Sequence, residues 1–390
     1  MARETFPGER RVAVIPSVIP SLTALGLDVA VERGAGEAAG FPDPLYAEKG
    51  ARLLSRVEVF AAADLLLAVR SLASSHIAPP PDLSLLREGQ AVVGFLDPIG
   101  APEGVKALAE RGVVAFALDL IPRISRAQAM DALSSVATVI GYKAVLLAAD
   151  TLPRLFPLMM TAGGTLTPAR MLVIGAGVAG LQAIATGRRL GAVVEAYDIR
   201  PATREQIQSL GAKYVELPLD AQDAQDEAGY ARAMDESFYR RQRETMGRVV
   251  SASDVVISTA AIPGRKAPVL ITAEMVDAMR PGSVIVDVAA EQGGNCELTR
   301  PGEAVVRGGV TVLGPVNVAS AVPNHASQLH ARNVANFLAL VVKQGRLTID
   351  LADQIVRETL VARGGEVVHP RLRETLGLPP APAPPTTAAG

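Results

Sequence analysis

Cysteine is almost absent from this chain, since Cys296 is the only one among 390 residues. A single cysteine excludes a disulfide framework and a cysteine-rich metal site, and it is typical of a reducing compartment. Histidine is scarce as well: His76, His325, His330 and His369 are too scattered to indicate a zinc or iron centre. Catalysis by histidine therefore has few candidates, and we expect no bound metal.

An excess of charge of one sign is also lacking. The 38 basic residues nearly balance the 40 acidic ones, which leaves a net charge of −2. This balance does not provide the basic surface that binds nucleic acid or an anionic membrane. Apolar residues make up 49% of the chain and charged residues 20%, so a chain of this length is expected to form two domains with large cores.

Long hydrophobic runs are missing too. The longest uncharged apolar stretch, Met171–Gly187, has 17 residues and contains four glycines, whereas a membrane span needs about 18–20 residues. A buried strand that leads into a buried helix explains this stretch better. The first residues, MARETFPGERR, contain no apolar segment of the kind found in secretory signals. We therefore expect a soluble chain.

Short β-branched runs alternate with helical patterns along most of the chain, which is typical of parallel sheets covered by helices. The predicted fold class is α/β, with two doubly wound, Rossmann-like parallel-sheet domains joined by long helices. The first set of predicted strands is Arg11–Ile15, Asp28–Glu32, Leu65–Val69, Val92–Leu96 and Val113–Ala117. The second set is Met171–Ile174, Val193–Tyr197, Val255–Ser258, Val284–Val288 and Val310–Leu313. The helices predicted within the first set are Ser17–Leu25, Leu45–Leu54 and Pro102–Arg111.

Two long helical segments mark the predicted domain boundaries. Arg126–Leu155 is one helix or a broken pair, with Gly141 and Pro153 as interruptions. His325–Lys343 has an apolar helical face and leads into the amphipathic segment Leu351–Ala362. We assign 1–134 plus 325–378 to the first domain, 135–324 to the second, and 379–390 to a Pro/Ala-rich tail.

The segment 220–248 differs from the rest of the second domain. Twelve of its 29 residues are charged, and no apolar face is visible before Phe238. A solvated insertion is one interpretation. A mobile lid over a ligand site is the other, because long loops without a core are often functional.

The segment MLVIGAGVAGLQAIATGRRLGAVVEAYDIR carries the strongest local signal. A strand ends at Ile174, the glycines of Gly175-Ala-Gly177-Val-Ala-Gly180 open a helix, and a second strand closes on Asp198. This order predicts a dinucleotide site: the glycines allow a tight turn, a close approach of pyrophosphate, and close packing of helix on strand. The helix N-terminus favours phosphate, and an acid at this distance favours NAD over NADP. Arg200 is the complication, since an arginine here could accept a 2′-phosphate.

A second polar cluster lies in PRISRAQAMDALSS, at the predicted junction of the two domains. Gln128, Asp131 and Ser134 are three residues apart, and Arg123 precedes them. An ordinary polar helix face explains the cluster equally well. The alternative is a ligand site, because cofactors bind in clefts between domains.

The chain contains, in this order, the motifs GERRVAVIP, RISRAQAMDALSS, GAGVAG with YDIR, TAAIPGRKAPVLIT, and VIVDVAAEQGGNCELT. From Glu9 to Leu376 it resembles the NAD(H)-binding component of the proton-translocating nicotinamide nucleotide transhydrogenases. Alanine dehydrogenases share the same two-domain plan. The resemblance implies direct hydride transfer between NAD(H) on this chain and NADP(H) on a partner subunit, coupled to proton translocation.

The resemblance also implies roles for individual residues. Arg123, Gln128 and Asp131 would hold and orient the nicotinamide as catalytic residues, with Ser134 beside them. The hairpin in Met159–Arg170 would join two copies into a homodimer. The remaining implied cofactor contacts are Gly175, Ala176, Gly177, Val178 and Gly180 at the phosphates, Asp198, Ile199 and Arg200 at the ribose, Gly229 and Tyr230 at the tip of a mobile loop over about 220–248, and Gln242 and Ala261.

Departures from the dehydrogenases indicate what is missing. Alanine dehydrogenases use a lysine, a histidine and an aspartate, where this chain has Arg70, Asp97 and Glu291 at the approximate positions. Oxidising an amino acid requires a base, whereas moving hydride between two nicotinamides requires only alignment and exclusion of water. The expected histidine role is packing or surface exposure, for His325 and His330 alike.

The implied partners are a second copy of this chain, an NADP(H)-binding beta subunit, and membrane-spanning subunits. The implied location is cytoplasmic, on the inner face of the cell membrane through those partners. Two alternatives stay open: a soluble alanine dehydrogenase-like enzyme, and a module that binds NAD without chemistry.

Overall fold

The computed structural model describes residues 1–70, 81–216, 234, 236–261 and 265–380. The chain divides into two compact units. The first comprises Met1–Val136 and Pro323–Gly390, and the second comprises Ala137–Val322.

The first unit begins with alternating strands and short helices. The three strands β3, β4 and β5 pair in parallel, and β1 pairs with β2 in a separate parallel ladder. The strands are β1 (Ala30–Glu32), β2 (Arg52–Leu54), β3 (Leu65–Leu67), β4 (Ala91–Gly94) and β5 (Val114–Ala117). The α-helices are α1 (Ile19–Ala24), α2 (Asp43–Glu48), α3 (Arg56–Ala62) and α4 (Pro102–Glu110).

Two predictions for this region are wrong. Arg11–Ile15 is buried but forms no strand, because its backbone bonds side chains: Val12 N donates to Ser327 Oγ (3.0 Å), and Val14 O accepts from Tyr46 Oη (2.9 Å). The predicted helix Leu45–Leu54 ends early and continues as β2. Gly50, with φ +90°, takes the left-handed conformation that terminates helices.

A long helix, α5 (Ala132–Thr151), follows a 3₁₀ helix, Ser125–Met130. The break in the predicted long segment therefore falls at Asp131. Gly141 lies inside α5, where an added Cβ would come within 2.0 Å of Ala179 O, so this glycine permits close packing. Among the described residues, α5 is the helix whose length and composition would allow a membrane crossing. Its residues Ala144 and Val145 belong to the core of the second unit, which is typical of a core helix.

The second unit is a seven-stranded sheet in the order β10-β9-β8-β11-β12-β14-β13, parallel except for β13. Four-residue β-branched runs such as Val255–Ser258 are fully buried because helices cover both faces of the sheet. The strands are β6 (Met159–Thr161), β7 (Gly164–Leu166), β8 (Arg170–Ile174), β9 (Val193–Tyr197), β10 (Lys213–Tyr214), β11 (Val255–Ser258), β12 (Val284–Asp287), β13 (Ala304–Arg307) and β14 (Val310–Leu313). The helices are α6 (Val178–Arg189), α7 (Arg204–Ser209), α8 (Glu236–Ser251) and α9 (Ala273–Asp277).

The charged segment 220–248 is not a continuous loop. Its second half is α8, which buries Phe238, Gln242, Met246 and Val250 at a spacing of four residues. This spacing places one side chain per turn on the core face, while charged residues occupy the rest of the helix. The earlier part, residues 217–233 and 235, lies outside the described residues.

The chain then returns to the first unit. Strand β17 pairs antiparallel with β5, and β18 extends the sheet, giving the order β18-β17-β5-β4-β3. The predicted segment Leu351–Ala362 is thus a short helix followed by a strand. The expected α/β class with two parallel-sheet units is confirmed. The elements are α10 (Pro323–Val341), β15 (Val342–Lys343), β16 (Arg346–Leu347), α11 (Gln354–Thr359), β17 (Leu360–Arg363), β18 (Glu366–Val367) and α12 (Pro370–Thr375).

Candidate functional site

The turn between β8 and α6 has the geometry of a phosphate site. Gly175 has φ +92°, which a residue with a Cβ rarely adopts. An added Cβ on Gly180 would lie 1.8 Å from Gly175 O, so this position admits glycine alone. A Cβ on Gly177, by contrast, meets nothing within 4 Å. The chain therefore keeps open space beside Gly177, next to the N–H groups at the start of α6.

This turn borders a pocket at the carboxyl ends of β8, β9 and β11, with about 640 Å³ of empty space. Ligands of open parallel sheets bind at this edge, where the strand order reverses. The lining residues are Ile174, Gly175, Gly177, Tyr197, Asp198, Ile199, Arg200, Tyr239, Gln242, Thr259, Ala260, Ala261, Pro268 and Leu270.

Asp198 ends β9 on the pocket wall, with only 5% of its surface exposed. Its carboxylate accepts hydrogen bonds from Ala176 N (2.6 Å) and from Arg200 N, Nε and Nη2 (2.8 Å each). A carboxylate offers about four acceptor positions, so these four donors occupy them. A ribose that bonds Asp198 must therefore replace part of the Arg200 contact. Arg200, the residue that made the cofactor preference ambiguous, is here the partner of the acid.

Gln242 reaches the pocket from α8. Its Nε2 donates to Tyr197 Oη (2.8 Å), while its buried Oε1 has no hydrogen-bond partner among the described residues. Burial raises the pKa of Tyr197 well above its usual range, so the phenol stays neutral. The unpaired Oε1 and the space beside Gly177 both fit a dinucleotide with hydrogen-bond donors and a pyrophosphate.

Some pocket residues were missed by the sequence analysis. Thr259 Oγ1 donates to Gly175 O (3.0 Å) and fixes the phosphate turn. Tyr239, Pro268 and Leu270 complete the wall. The position of Thr259 directly after β11 was the available signal, because β11 neighbours β8 in the sheet. Ala176, Val178 and Gly180 belong to the turn but not to the lining, and Gly229 and Tyr230 lie outside the described residues.

The Arg123 cluster belongs to the first unit. Asp131 caps α5: its Oδ1 accepts from Ser134 N (2.9 Å) and its Oδ2 from Ser134 Oγ (2.5 Å). The structure thus brings Asp131 and Ser134 together. Arg123 and Gln128 are exposed, and Gln128 lies in the 3₁₀ helix Ser125–Met130. The four residues do not share one continuous helix face, since Asp131 interrupts the helix with ψ 85°.

Comparison with known proteins decides the family. The model for "Alanine dehydrogenase/PNT, N-terminal domain" matches residues 1–140, and that for "Alanine dehydrogenase/PNT, C-terminal domain" matches residues 144–370. The chain belongs to the alanine dehydrogenase/PNT family. It is 45% identical over 374 residues to a chain of NAD(P) transhydrogenase subunit alpha from Rhodospirillum rubrum, covering 95% of this chain and 97% of that one.

Two further comparisons separate the branches of the alanine dehydrogenase/PNT family. A crystal structure of transhydrogenase from Sinorhizobium meliloti superposes with a TM-score of 0.83 at 43% identity, covering 94% of this chain and 99% of that one. Alanine dehydrogenase of Bacillus subtilis is 28% identical over 394 residues, covering 98% of this chain and 95% of that protein. Within the family, the chain therefore groups with the NAD(P) transhydrogenase alpha subunits.

The positions that differ from the alanine dehydrogenase branch have local partners in this structure. The Arg70 guanidinium lies 4.0 Å from the centre of the Phe6 ring. Asp97, with φ +45°, accepts a hydrogen bond from Gly100 N (3.2 Å), and Glu291 lies exposed in a 3₁₀ helix. His330 is fully buried beside Phe95, and burial lowers its pKa to about 3. His330 is therefore neutral and packed, while His325 is exposed.

No group of three or more His, Cys, Asp or Glu side chains that could hold a metal occurs in the described ranges. The chemistry available to the described pocket is thus that of backbone N–H groups, one buried carboxylate, amides and tyrosines. Such a set binds and orients a dinucleotide. Redox chemistry must come from the ligand itself.

Proposed function

We propose that this chain is the NAD(H)-binding subunit of a proton-translocating transhydrogenase, and that hydride passes directly between its NAD(H) and NADP(H) held by a partner subunit. The observation that carries the NAD(H) assignment is the phosphate turn, where Gly177 leaves open space beside the N-terminus of α6. The backbone N–H groups there would bind the pyrophosphate, and Asp198 and Gln242 would bind the adenosine end.

Direct hydride transfer fits the Arg123 cluster. Its one carboxylate, on Asp131, accepts two hydrogen bonds from Ser134 and starts α5, so it is not placed as a general base. When dihydronicotinamide reduces a nicotinamide, one hydride leaves and one carbon receives it, and no proton moves at carbon. We propose that Arg123 and Gln128 orient the ring for this step while exclusion of water protects it.

The deciding experiment mixes the chain with an NADP(H)-binding partner subunit and follows the reduction of NADP⁺ by NADH. We expect transfer that requires both proteins. Reduction of NAD⁺ by alanine without a partner would instead identify an amino-acid dehydrogenase. NADH binding without transfer to any acceptor would leave a module that only binds the nucleotide.

The cofactor preference follows from the pairing of Asp198 with Arg200. If Arg200 turned to a 2′-phosphate, the buried carboxylate would lose its cation beside a new negative charge. We expect titration of the chain to show NADH binding at least tenfold tighter than NADPH, a difference of about 1.4 kcal/mol or more. Asp198→Asn should narrow this ratio, whereas Glu216→Gln, an exposed control on the same unit, should not. Equal affinities of the wild-type chain for both nucleotides would contradict the assignment.

We also propose a homodimer, joined through the hairpin of β6 and β7. The strands pair antiparallel, and their apolar side chains face solvent in the single chain, with Met160 75% exposed and Leu166 50% exposed. An exposed apolar hairpin is typical of an interface. Native mass spectrometry should show twice the chain mass, and a monomer at micromolar concentration would contradict this proposal. Attachment to the inner face of the membrane would then come from the partner subunits.

A further inference from the structure

The 3₁₀ helix Ser125–Met130, which carries Gln128, is held by side chains of α10. The carbonyl oxygen of Ala129 accepts hydrogen bonds from Asn333 Nδ2 and Asn336 Nδ2, each at 2.9 Å. A backbone carbonyl has two lone pairs, so the two amides fill both. Short 3₁₀ helices have poor internal hydrogen bonds, and outside contacts therefore decide their conformation.

Asn333 occupies an unusual position for an amide. It is 5% exposed, on the same helix face as the buried Val334 and Phe337. Its Oδ1 has no hydrogen-bond partner among the described residues, which is an unfavourable state for a buried polar atom. An apolar side chain would pack there without this cost. The N–H group of Asn333, which bonds Ala129 O, is what the amide provides.

A second anchor holds the same segment from α11. The Arg126 guanidinium forms two hydrogen bonds to the Asp353 carboxylate, at 2.7 and 3.0 Å. These bonds hold the pKa of Asp353 below its usual range, so the carboxylate is charged at neutral pH. Asp353 Oδ1 also accepts from Ile355 N (2.8 Å) and starts α11. Gln128 thus lies between two anchored positions, Arg126 and Ala129.

We propose that Asn333 and Asn336 are positioning residues for hydride transfer. They fix the backbone at Ala129, and the fixed backbone holds the neighbouring Gln128 side chain in the orientation that aligns the nicotinamide. This inference rests on the proposed function of Gln128. The two asparagines act through the loop and do not touch the ligand's phosphate or ribose sites, which belong to the second unit.

The test compares a double variant, Asn333→Leu with Asn336→Ala, against Asn324→Ala. Asn324 is a matched control because it lies on α10 and donates its amide to a different backbone carbonyl, Ala39 O, at 2.9 Å. With the full chain and the NADP(H)-binding subunit, we expect the double variant to lower the hydride-transfer rate about tenfold or more while the Kd for NADH changes less than about twofold. The control should match wild type in both. Asn336→Ala alone changes an exposed residue and gives a variant that folds normally.

Coupling to Gln128 distinguishes positioning from a general structural defect. In a Gln128→Asn background the orientation is already lost, so the same double substitution should cost less than about threefold in rate. An equal loss in both backgrounds would overturn the proposal, because the asparagines would then act independently of Gln128.

Amide hydrogen exchange tests the loop without reference to activity. We expect exchange in residues 124–131 to be faster in the double variant and unchanged in the Asn324→Ala control. Unchanged exchange in the double variant overturns the positioning role, whatever the rates. Faster exchange with wild-type transfer overturns its link to the reaction. If the wild-type chain transfers no hydride to NADP⁺, the proposed function fails and the positioning inference fails with it.

Discussion

Replacing Gly177 with alanine is expected to abolish most NADH binding while leaving the fold intact. An alanine Cβ at this position meets no atom within 4 Å, and the backbone angles, φ −73° and ψ −171°, are open to any residue. The added methyl group would instead occupy the space through which a pyrophosphate reaches the N–H groups of α6. We expect NADH affinity to fall about tenfold to a hundredfold, a loss of about 1.4–2.8 kcal/mol. Calorimetric titration measures the affinity, and thermal unfolding should give the wild-type Tm.

Gly180→Ala is the contrasting variant. Its Cβ would lie 1.8 Å from Gly175 O and 3.2 Å from Thr259 Oγ1, so α6 or β8 must shift. We expect this change to lower the melting temperature as well as the affinity. If Gly177→Ala instead bound NADH like wild type, the open space beside Gly177 would not be a phosphate site, and the proposed cofactor position would be wrong.

The second large effect is expected at Gln128. Gln128→Asn keeps the amide and shortens its reach by one methylene, which misplaces the nicotinamide that the amide orients. Because small errors in the placement of reacting atoms are costly, we expect hydride transfer to slow by about tenfold to a hundredfold. NADH affinity should hardly change, since the contacts at Gly177 and Asp198 lie on the other unit.

Rapid-mixing kinetics with the NADP(H)-binding subunit measures the transfer rate, and native mass spectrometry verifies that the variant still assembles with that subunit. Gln206→Asn is a suitable control, because it makes the same change at an exposed position of α7. A wild-type transfer rate for Gln128→Asn, or a defect in NADH binding alone, would show that Gln128 does not orient the ring. The Arg123 cluster would then be an ordinary polar surface.

Much of the second unit's site follows from sequence-local physics. The order of strand, glycine turn, helix and acid predicts that Gly175, Gly177 and Asp198 lie together, because parallel strands end at one edge of the sheet. Gln242 was predicted only through the resemblance. The chemistry at Asp198 was not predictable, since the choice of Arg200 as its partner depends on how the backbone turns after β9.

What the sequence by itself determines here is the α/β class, the second unit's main strands and the phosphate turn, because these depend on residues close together in the chain. The tertiary structure alone decides the rest. Arg11–Ile15 has the pattern of a strand, but its backbone bonds Ser327 and Tyr46 from distant segments. Residues 236–251 have the composition of a charged loop, but a core face that only the folded sheet provides makes them a helix. The support of Gln128 by Asn333 joins positions about 200 residues apart. No local pattern records such a contact, since it forms only when the returning chain packs on the first unit.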